Sequence, residues 1–213
     1  MDPSEDSRLV AAAALRDLNH AFVAHDRPDD ALRALAEHAT REVAEMRKGA
    51  RRDRLARMQA ARAAGDSTGF PGGDSGAGFE DRAVGGAANP TGIDFALRHE
   101  GDDVVVQTAF RRAFEGAPNR VHGGMVAALF DDVTGFVIAR LDEPAFTGEL
   151  TVRFEAAVPV ETPLVVRCRL ASRERRKLHI TGEMSADGEL VARCRATYIT
   201  VDGSVFAGAP DPR

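Results

Sequence analysis

The residues best suited to chemistry lie in one stretch near the middle of the chain. His122, Gly123 and Gly124 come first, and Asp131 and Asp132 follow within a nearly uninterrupted apolar run. Two glycines at a helix start leave its unpaired N–H groups uncovered by side chains, where the helix dipole favours a polarised oxygen. The spacing therefore predicts a helix that offers backbone hydrogen bonds to a ligand oxygen and carries a carboxylate farther along.

Asp131 is expected on a helix face formed by small residues. Its neighbours three and four positions away are Ala127, Ala128, Thr134 and Gly135. A thin ligand or a second backbone could approach such a face closely. A carboxylate within so apolar a helix is costly unless it is paired, hydrogen-bonded or used in chemistry. Asp132 is adjacent, and periodicity alone does not decide which of the two carboxylates is exposed.

Other catalytic centres fit the sequence poorly. It contains no Gly-x-Ser-x-Gly motif, no cysteine beside candidate histidine partners and no core histidine pair with zinc-like spacing. His20 and His25 lie in the N-terminal part and are predicted at the surface. Cys168 and Cys194 are interpreted as free core thiols, with a disulfide or metal role as the alternative.

Composition narrows the classes of partner. The formal net charge is −5, which disfavours nucleic-acid binding by the chain as a whole. No run of about 18 apolar residues predicts a membrane span, and the first residues lack the basic segment of a signal peptide. We therefore expect a cytoplasmic protein that neither spans a membrane nor binds nucleic acid.

The chain is predicted to have four parts. Residues 1–64 form a helical extension, 65–78 a Gly/Ser-rich linker, 79–206 the compact domain and 207–213 a frayed tail. Apolar spacing in the extension predicts one helix over about 5–25 and a second from Asp29 to about Ala64. The arginine-rich segment 41–62 indicates either a solvated helix face or a contact with a phosphate-bearing or acidic partner.

The compact domain has the pattern of an α+β fold. Strands are predicted over 93–98 and 104–110, followed by the helix to about Leu141 and four strands in a meander between 150 and 201. One helix against an antiparallel sheet of about six strands is a two-layer architecture. A helix this apolar must be wrapped by a curved sheet or shared with a partner subunit.

These features resemble hotdog-fold acyl-CoA thioesterases over roughly residues 79–206. Asp131 stands at the tenth position of a motif that begins at His122, with two strands before the helix and four after it. The nearest group is the phenylacetate-pathway thioesterase-like branch of the 4-hydroxybenzoyl-CoA thioesterase superfamily. In many members an Asn stands six residues before the motif His and a Gly three before it; here these positions hold Gly116 and Asn119. That departure favours a threonine-assisted variant of the reaction.

The resemblance implies a role for each motif residue. Gly123 and Gly124 would form an oxyanion hole for the thioester carbonyl, and Asp131 would act as general base or as nucleophile. Thr147, which is otherwise a capping residue at a strand start, would place the attacking water. His122 would orient the loop rather than transfer protons.

The resemblance also implies substrate contacts. Asn119 would lie at the substrate-binding loop, and a basic turn would bind the phosphates of CoA unless it is simply a solvated hairpin. The residues of this basic turn are Arg173, Arg175, Arg176 and Lys177.

Hydrolysis of an acyl-CoA by a homodimer or tetramer, without metal or cofactor, is therefore the expected function. The alternative is a non-catalytic acyl-CoA or acyl-group binding module whose N-terminal helices form an interaction arm.

Overall fold

The computed structural model describes most of the chain. Its described residues are 6–53, 56–57, 59–60, 80–141 and 143–202. The predicted linker 65–78, the first residue and last four residues of the predicted domain, and the predicted tail 207–213 lie outside them.

A six-stranded antiparallel sheet forms the body of the described domain. Its strands are β1 Phe95–Glu100, β2 Asp103–Thr108, β3 Ala145–Phe154, β4 Leu164–Glu174, β5 Lys177–Ala186 and β6 Glu189–Thr200. They lie in the order β1-β2-β4-β5-β6-β3, so β1 and β3 are the edge strands. The predicted α+β class and the number of strands are confirmed.

The predicted four-strand meander is wrong for β3. This strand pairs with β6, whereas β4 pairs with β2 and β5. The connection between β3 and β4 runs over 155–163, which is longer than a tight hairpin and contains Pro159 and Pro163. It carries the chain from one edge of the sheet to its interior, a crossover that the alternation of residues does not reveal.

The central helix spans Gly123–Arg140 and is α3 in chain order. It contacts every strand from β2 to β6, which requires the sheet to curve around it. Its buried residues are Val126, Leu129, Phe130, Val133, Thr134, Phe136, Val137 and Ile138. Each fully buried aliphatic or aromatic side chain contributes roughly 1.5–3 kcal/mol, so packing rather than helix propensity holds this glycine-led helix in place.

Two helices of 18 residues each lie before the domain in the described part of the chain, α1 at Ser7–Ala24 and α2 at Asp29–Met46. The Asp6 carboxylate caps α1 by accepting from the N–H of Arg8. The second helix was predicted to continue to about Ala64, but it ends at Met46 because the chain turns there and Gly49 N–H bonds back to Met46. None of the described helices has the length and apolar composition needed to cross a membrane.

His20 is buried, so its predicted place at the surface is wrong. Only 4% of the residue is exposed, and its Nδ1 accepts a 3.1 Å hydrogen bond from Ala113 N–H. Arg16, one turn earlier on α1, is also buried and pairs with Asp94. A polar helix face therefore docks α1 on the segment that leads into the central helix.

The two cysteines are free and buried, as predicted. They flank Gly182 in one cross-strand row, Cys168 on β4 and Cys194 on β6. Two strand spacings place their Cα atoms roughly 10 Å apart, beyond the reach of a disulfide. A Cβ at Gly182 would meet both sulfurs at 2.6–2.7 Å, so only glycine fits between the thiols and Phe130.

Candidate active site

Asp131 and Thr147 meet on the exposed side of the central helix. Thr147 Oγ1 donates a 3.0 Å hydrogen bond to Asp131 Oδ1. The register of β3 shifts between Thr147 and Glu149, and this bulge at Gly148 re-aims the threonine side chain. The two residues that the sequence proposed for water activation are thus in direct contact, with the carboxylate open to solvent in the single chain.

Asp132 is partly buried, whereas Asp131 is exposed, so the exposed carboxylate of the adjacent pair is that of Asp131. The Oδ2 of Asp132 is buried without a hydrogen-bond partner among the described residues, and it packs against Gly85. Burial raises the pKa of Asp132 above its ordinary value, opposed by the positive charge of Arg82. The Arg82 guanidinium lies 4.5 Å from the ring centroid of Phe136. Asp132 therefore fastens the segment around Gly85 to the central helix and is not open to a ligand.

The helix start offers one free backbone donor and one that is already bonded. His122 is the N-cap, and its Nδ1 accepts a 3.0 Å hydrogen bond from Gly124 N–H. The ring proton is thereby assigned to Nε2. In the described part of the chain, Gly123 N–H has no acceptor within hydrogen-bonding distance. A Cβ at Gly124 would lie 3.1 Å from His122 Nδ1, so the second glycine leaves room for the capping ring.

The loop before the motif explains the two departures noted in the sequence. A Cβ at Gly116 would lie 3.0 Å from His122 Cα, so an asparagine there would press on the motif histidine. Asn119 has φ of 59°, the left-handed conformation that glycine adopts without strain. Its side-chain oxygen accepts a 3.2 Å hydrogen bond from Arg112. Asn119 thus has a conformational role, and its side chain bonds within the loop.

Gly123 and Asp131 are too far apart to act on one carbonyl group within a single chain. Eight residues separate them on one helix, which at 1.5 Å per residue amounts to about 12 Å. An oxyanion donor and a base on the attacking water must each lie about 3 Å from their targets on the same reacting group. The expected oxyanion donor and the expected base therefore lie about 12 Å apart along α3 in a single chain.

One residue beside the site, Tyr198, was missed from the sequence. Tyr198 Oη lies 2.9 Å from Thr134 Oγ1 and donates a 3.2 Å hydrogen bond to the Asp131 backbone oxygen. Tyr198 is also the register partner of Thr147. As the only tyrosine of the chain, placed in a strand with apolar neighbours, it carried a weak signal that its hydroxyl needs a buried partner.

The basic turn joins β4 to β5, and two of its four cationic side chains are bound to other groups of the chain. Arg173 donates to the Glu143 carboxylate from both terminal guanidinium nitrogens, and Arg176 donates to Thr200 O at 2.9–3.0 Å. Arg175 and Lys177 are exposed and form no ion pair within the described residues. One cross-strand row leads from this turn to the site: Arg173, Leu178, Tyr198, Thr147.

Among the described residues, no group of three or more His, Cys, Asp or Glu side chains could hold a metal ion. The groups that the site itself presents are a carboxylate, a hydroxyl, an imidazole and backbone donors.

Comparisons with known proteins bear on the family resemblance and the fold. Residues 119–193 match the family model of the thioesterase superfamily. A solved structure described as a thioesterase superfamily protein is 22% identical with a TM-score of 0.74, and the match covers 92% of this chain and 96% of that one. The superfamily resemblance and the hotdog fold expected from the sequence are thereby confirmed.

Two other solved structures match about half of the chain. A phenylacetic acid degradation-related protein from Ralstonia eutropha JMP134 is 28% identical, with a TM-score of 0.46 and coverage of 49% of this chain and 83% of that one. A Streptococcus mutans UA159 protein bound to acetyl CoA is 18% identical, with a TM-score of 0.48 and coverage of 51% and 89%. No curated protein sequence matches the chain significantly.

Proposed function

We propose that this chain is an acyl-CoA thioesterase that converts an acyl-CoA and water into the free acid and CoA. The hydrogen bond between Thr147 and Asp131 carries the proposal, because it presents an exposed carboxylate and a hydroxyl to one water molecule. The superfamily match over 119–193 supports the same reaction class. We assign the chain to the phenylacetate-pathway thioesterase-like branch on its His-Gly-Gly…Asp motif.

In the proposed reaction Asp131 acts as general base. It takes a proton from water while the water oxygen attacks the thioester carbon. Thr147 Oγ1 donates to Asp131, and its free lone pairs accept the second proton of that water. When the tetrahedral intermediate collapses, the C–S bond breaks and the proton held by Asp131 passes to the CoA thiolate. Direct attack by the carboxylate, with hydrolysis of the resulting anhydride, is the variant that uses the same residue as nucleophile.

The developing oxyanion is assigned to the start of the central helix. Gly123 N–H is free to donate, and Gly124 N–H becomes available when the His122 ring turns away from it. The helix dipole favours the negative oxygen at this position. His122 thus keeps the empty site capped, which is a loop-orienting role and needs no proton transfer to substrate.

A second copy of the chain is proposed to complete each site. The separation of about 12 Å along the helix excludes Gly123 and Asp131 of one chain from sharing a carbonyl. A homodimer related by a two-fold axis would place the Asp131 end of one helix against the Gly123 end of the other, forming two equal sites. The edge strand β3, with Phe146 and Phe154 half exposed, offers surface for that contact.

The phosphates of CoA are assigned to the basic turn. Arg175 and Lys177 are the two cations of this turn that form no ion pair with the described residues. The row from Arg173 to Thr147 puts the turn at the end of the sheet that holds the site. The ionic contacts would fix the nucleotide end of the substrate while the thioester reaches Asp131.

One observation favours the alternative of a non-catalytic binding module. Gly124 N–H is already satisfied by His122, which leaves a single free donor for an oxyanion. In that case the candidate site would bind an acyl group or acyl-CoA without hydrolysing it, and α1 and α2 would serve as an interaction arm.

Hydrolysis by the purified full chain tests the proposal. Aromatic, short, medium and long acyl-CoAs are assayed by release of free thiol, with wild type and Asp131→Asn in parallel. We expect turnover of at least one class by wild type and a loss of about 100-fold or more in the variant. Unchanged hydrolysis in Asp131→Asn would remove the assigned role, and no hydrolysis of any class by wild type would favour the binding module.

A further inference from the structure

Tyr198 lies between the helix and the strand that carry the two proposed reacting side chains. It is 4% exposed and projects from β6, directly opposite Thr147 on β3. Its hydroxyl donates to the backbone oxygen of Asp131 at 3.2 Å and lies 2.9 Å from Thr134 Oγ1. The buried Tyr198 hydroxyl thus contacts Asp131, the proposed base. Tyr198 lies on β6, the strand next to β3, which carries Thr147.

The two contacts of this hydroxyl have different consequences. Thr134 Oγ1 already bonds to the backbone oxygens of Phe130 and Asp131 at 2.9 and 3.0 Å, so its position is fixed by the helix itself. Both contacts join the sheet to the helix, but only the bond from Tyr198 to the Asp131 carbonyl reaches the proposed base residue itself. The sheet in turn fixes Thr147 through the register of β3 with β6.

The hydroxyl of Tyr198 also stays a donor under ordinary conditions. Burial raises the pKa of Tyr198 to about 12, partly opposed by its hydrogen bonding with the Thr134 hydroxyl. The phenol is therefore protonated throughout the range in which a carboxylate base works, and its link to the Asp131 carbonyl is present in the working enzyme.

We propose that Tyr198 is a positioning residue that holds the Asp131 carboxylate at hydrogen-bonding distance from Thr147. This role rests on the proposed thioesterase function. Tyr198 would act through the backbone of Asp131 and would not touch the substrate. A loss of its hydroxyl should therefore disturb the alignment of base and water, which affects turnover, and leave substrate binding intact.

Two variants separate this role from simple core packing. Tyr198→Phe removes both contacts of the hydroxyl at nearly constant volume. Thr134→Val removes the contact to Tyr198 and the bonds of Thr134 Oγ1 within the helix, and it leaves the bond from Tyr198 to the Asp131 carbonyl. Both lose one buried hydroxyl, so a purely structural role predicts similar losses of thermal stability and similar kinetics for the two.

The experiment measures kcat, KM and melting temperature for both full-length variants with the best acyl-CoA of the wild-type enzyme. We expect Tyr198→Phe to lower kcat about tenfold with KM nearly unchanged, and Thr134→Val to keep kcat within about twofold. A kcat of Tyr198→Phe near wild type, or equal kcat losses in the two variants, overturns the positioning role while leaving the thioesterase proposal intact. A wild-type chain that hydrolyses no thioester overturns the proposed function and this role together.

Discussion

Thr147 Oγ1 lies 3.0 Å from Asp131 Oδ1, although the two residues belong to different layers of the fold. The carboxylate projects from the central helix and the hydroxyl from a bulged edge strand. Neither element alone could form the pair, so the contact is a product of how the sheet wraps the helix. It also distinguishes Asp131, whose carboxylate is exposed, from the adjacent Asp132, whose Oδ2 is buried.

Asp131 and Asp132 should respond in opposite ways to removal of charge. Asp131→Asn should lower kcat about 100-fold or more and change stability by no more than about 0.5 kcal/mol, because the side chain is exposed. Asp132→Asn should keep most activity and lose about 1–3 kcal/mol of stability, because Arg82 loses its counter-charge in a buried setting. Hydrolysis assays and urea unfolding check both. The reverse pattern would show that the buried carboxylate is the base.

Thr147 should matter through its hydroxyl alone. Thr147→Val keeps the volume and removes the bond to Asp131, so we expect kcat to fall about tenfold. Thr147→Ser keeps the hydroxyl and should retain most of the rate. Thr151→Val, an exposed threonine on the same strand, is the matched control and should behave as wild type. If Thr147→Val turns over normally, the threonine is a strand-start residue with no part in water activation.

Gly123 allows its backbone donor to be removed without breaking the helix. It is the first helical residue, where proline is favoured, and His122 before it has φ −61° and ψ 129°, which suits a residue preceding proline. Gly123→Pro removes the N–H, whereas Gly123→Ala keeps it and adds a Cβ 3.2 Å from Phe154 Cζ. We expect the proline variant to lose about 100-fold in kcat and the alanine variant far less.

Mixing two inactive variants tests whether each site spans two chains. Gly123→Pro and Asp131→Asn are refolded together at equal amounts. If sites are shared, each mixed dimer has one intact site and one doubly defective site, so about a quarter of wild-type activity should return. If each chain holds a whole site, every site in the mixture keeps a defect and activity stays at the level of the separate variants.

The sequence predicted most of the fold because the apolar residues of most segments keep a single spacing, that of a helix or that of a strand. The central helix carries bulky apolar residues such as Val126 and Phe130 on its buried side, and the strands alternate. The position of β3 in the sheet was not predictable in this way, because the alternation of its residues does not show which strand it pairs with. His20 was misjudged because a lone histidine on a helix carries no sign of the backbone N–H that it meets at Ala113.

The candidate site was predictable in its parts and not in its geometry. The motif located His122, Gly123 and Asp131, but the bonding of His122 to Gly124 depends on the rotamer of a capping ring. The contact of Tyr198 with Asp131 depends on strand register and on the β3 crossover. Such contacts arise from tertiary packing and leave little trace in the order of residues.

His20 should make the docking of α1 sensitive to acid. Burial and the charge of Arg111 lower the pKa of His20 below 6.5, opposed by Asp94 and Asp17. The neutral ring is favoured in the folded state, so this stabilisation is present above pH about 6.5 and is lost as pH falls from there through the lowered pKa.

His20→Phe removes the titrating group and keeps a ring beside Phe114. The variant leaves Ala113 N–H without its acceptor, which should cost about 1–3 kcal/mol at pH 7.5. Urea unfolding at pH 7.5 and pH 5 should show the gap between wild type and variant narrowing at the lower pH. A gap that is constant or wider at pH 5 would contradict the lowered pKa.

The basic turn should contribute to binding of the CoA portion of the substrate. Arg175 and Lys177 are exposed and form no ion pair in the part of the chain that is described, whereas Arg173 and Arg176 hold Glu143 and Thr200. Arg175→Gln with Lys177→Gln should raise KM for acyl-CoA several-fold, with a weaker dependence of KM on salt.

An acyl N-acetylcysteamine thioester, which has the same reacting bond and no phosphates, separates phosphate binding from damage to the site. The double variant should hydrolyse it as wild type does, because Asp131 and Thr147 are untouched. Arg169→Gln with Arg195→Gln removes two exposed cations that flank Thr181 in one cross-strand row, on β4 and β6, and serves as the matched control. An equal rise in KM for acyl-CoA in that control would show that overall charge, and not the basic turn, attracts the substrate.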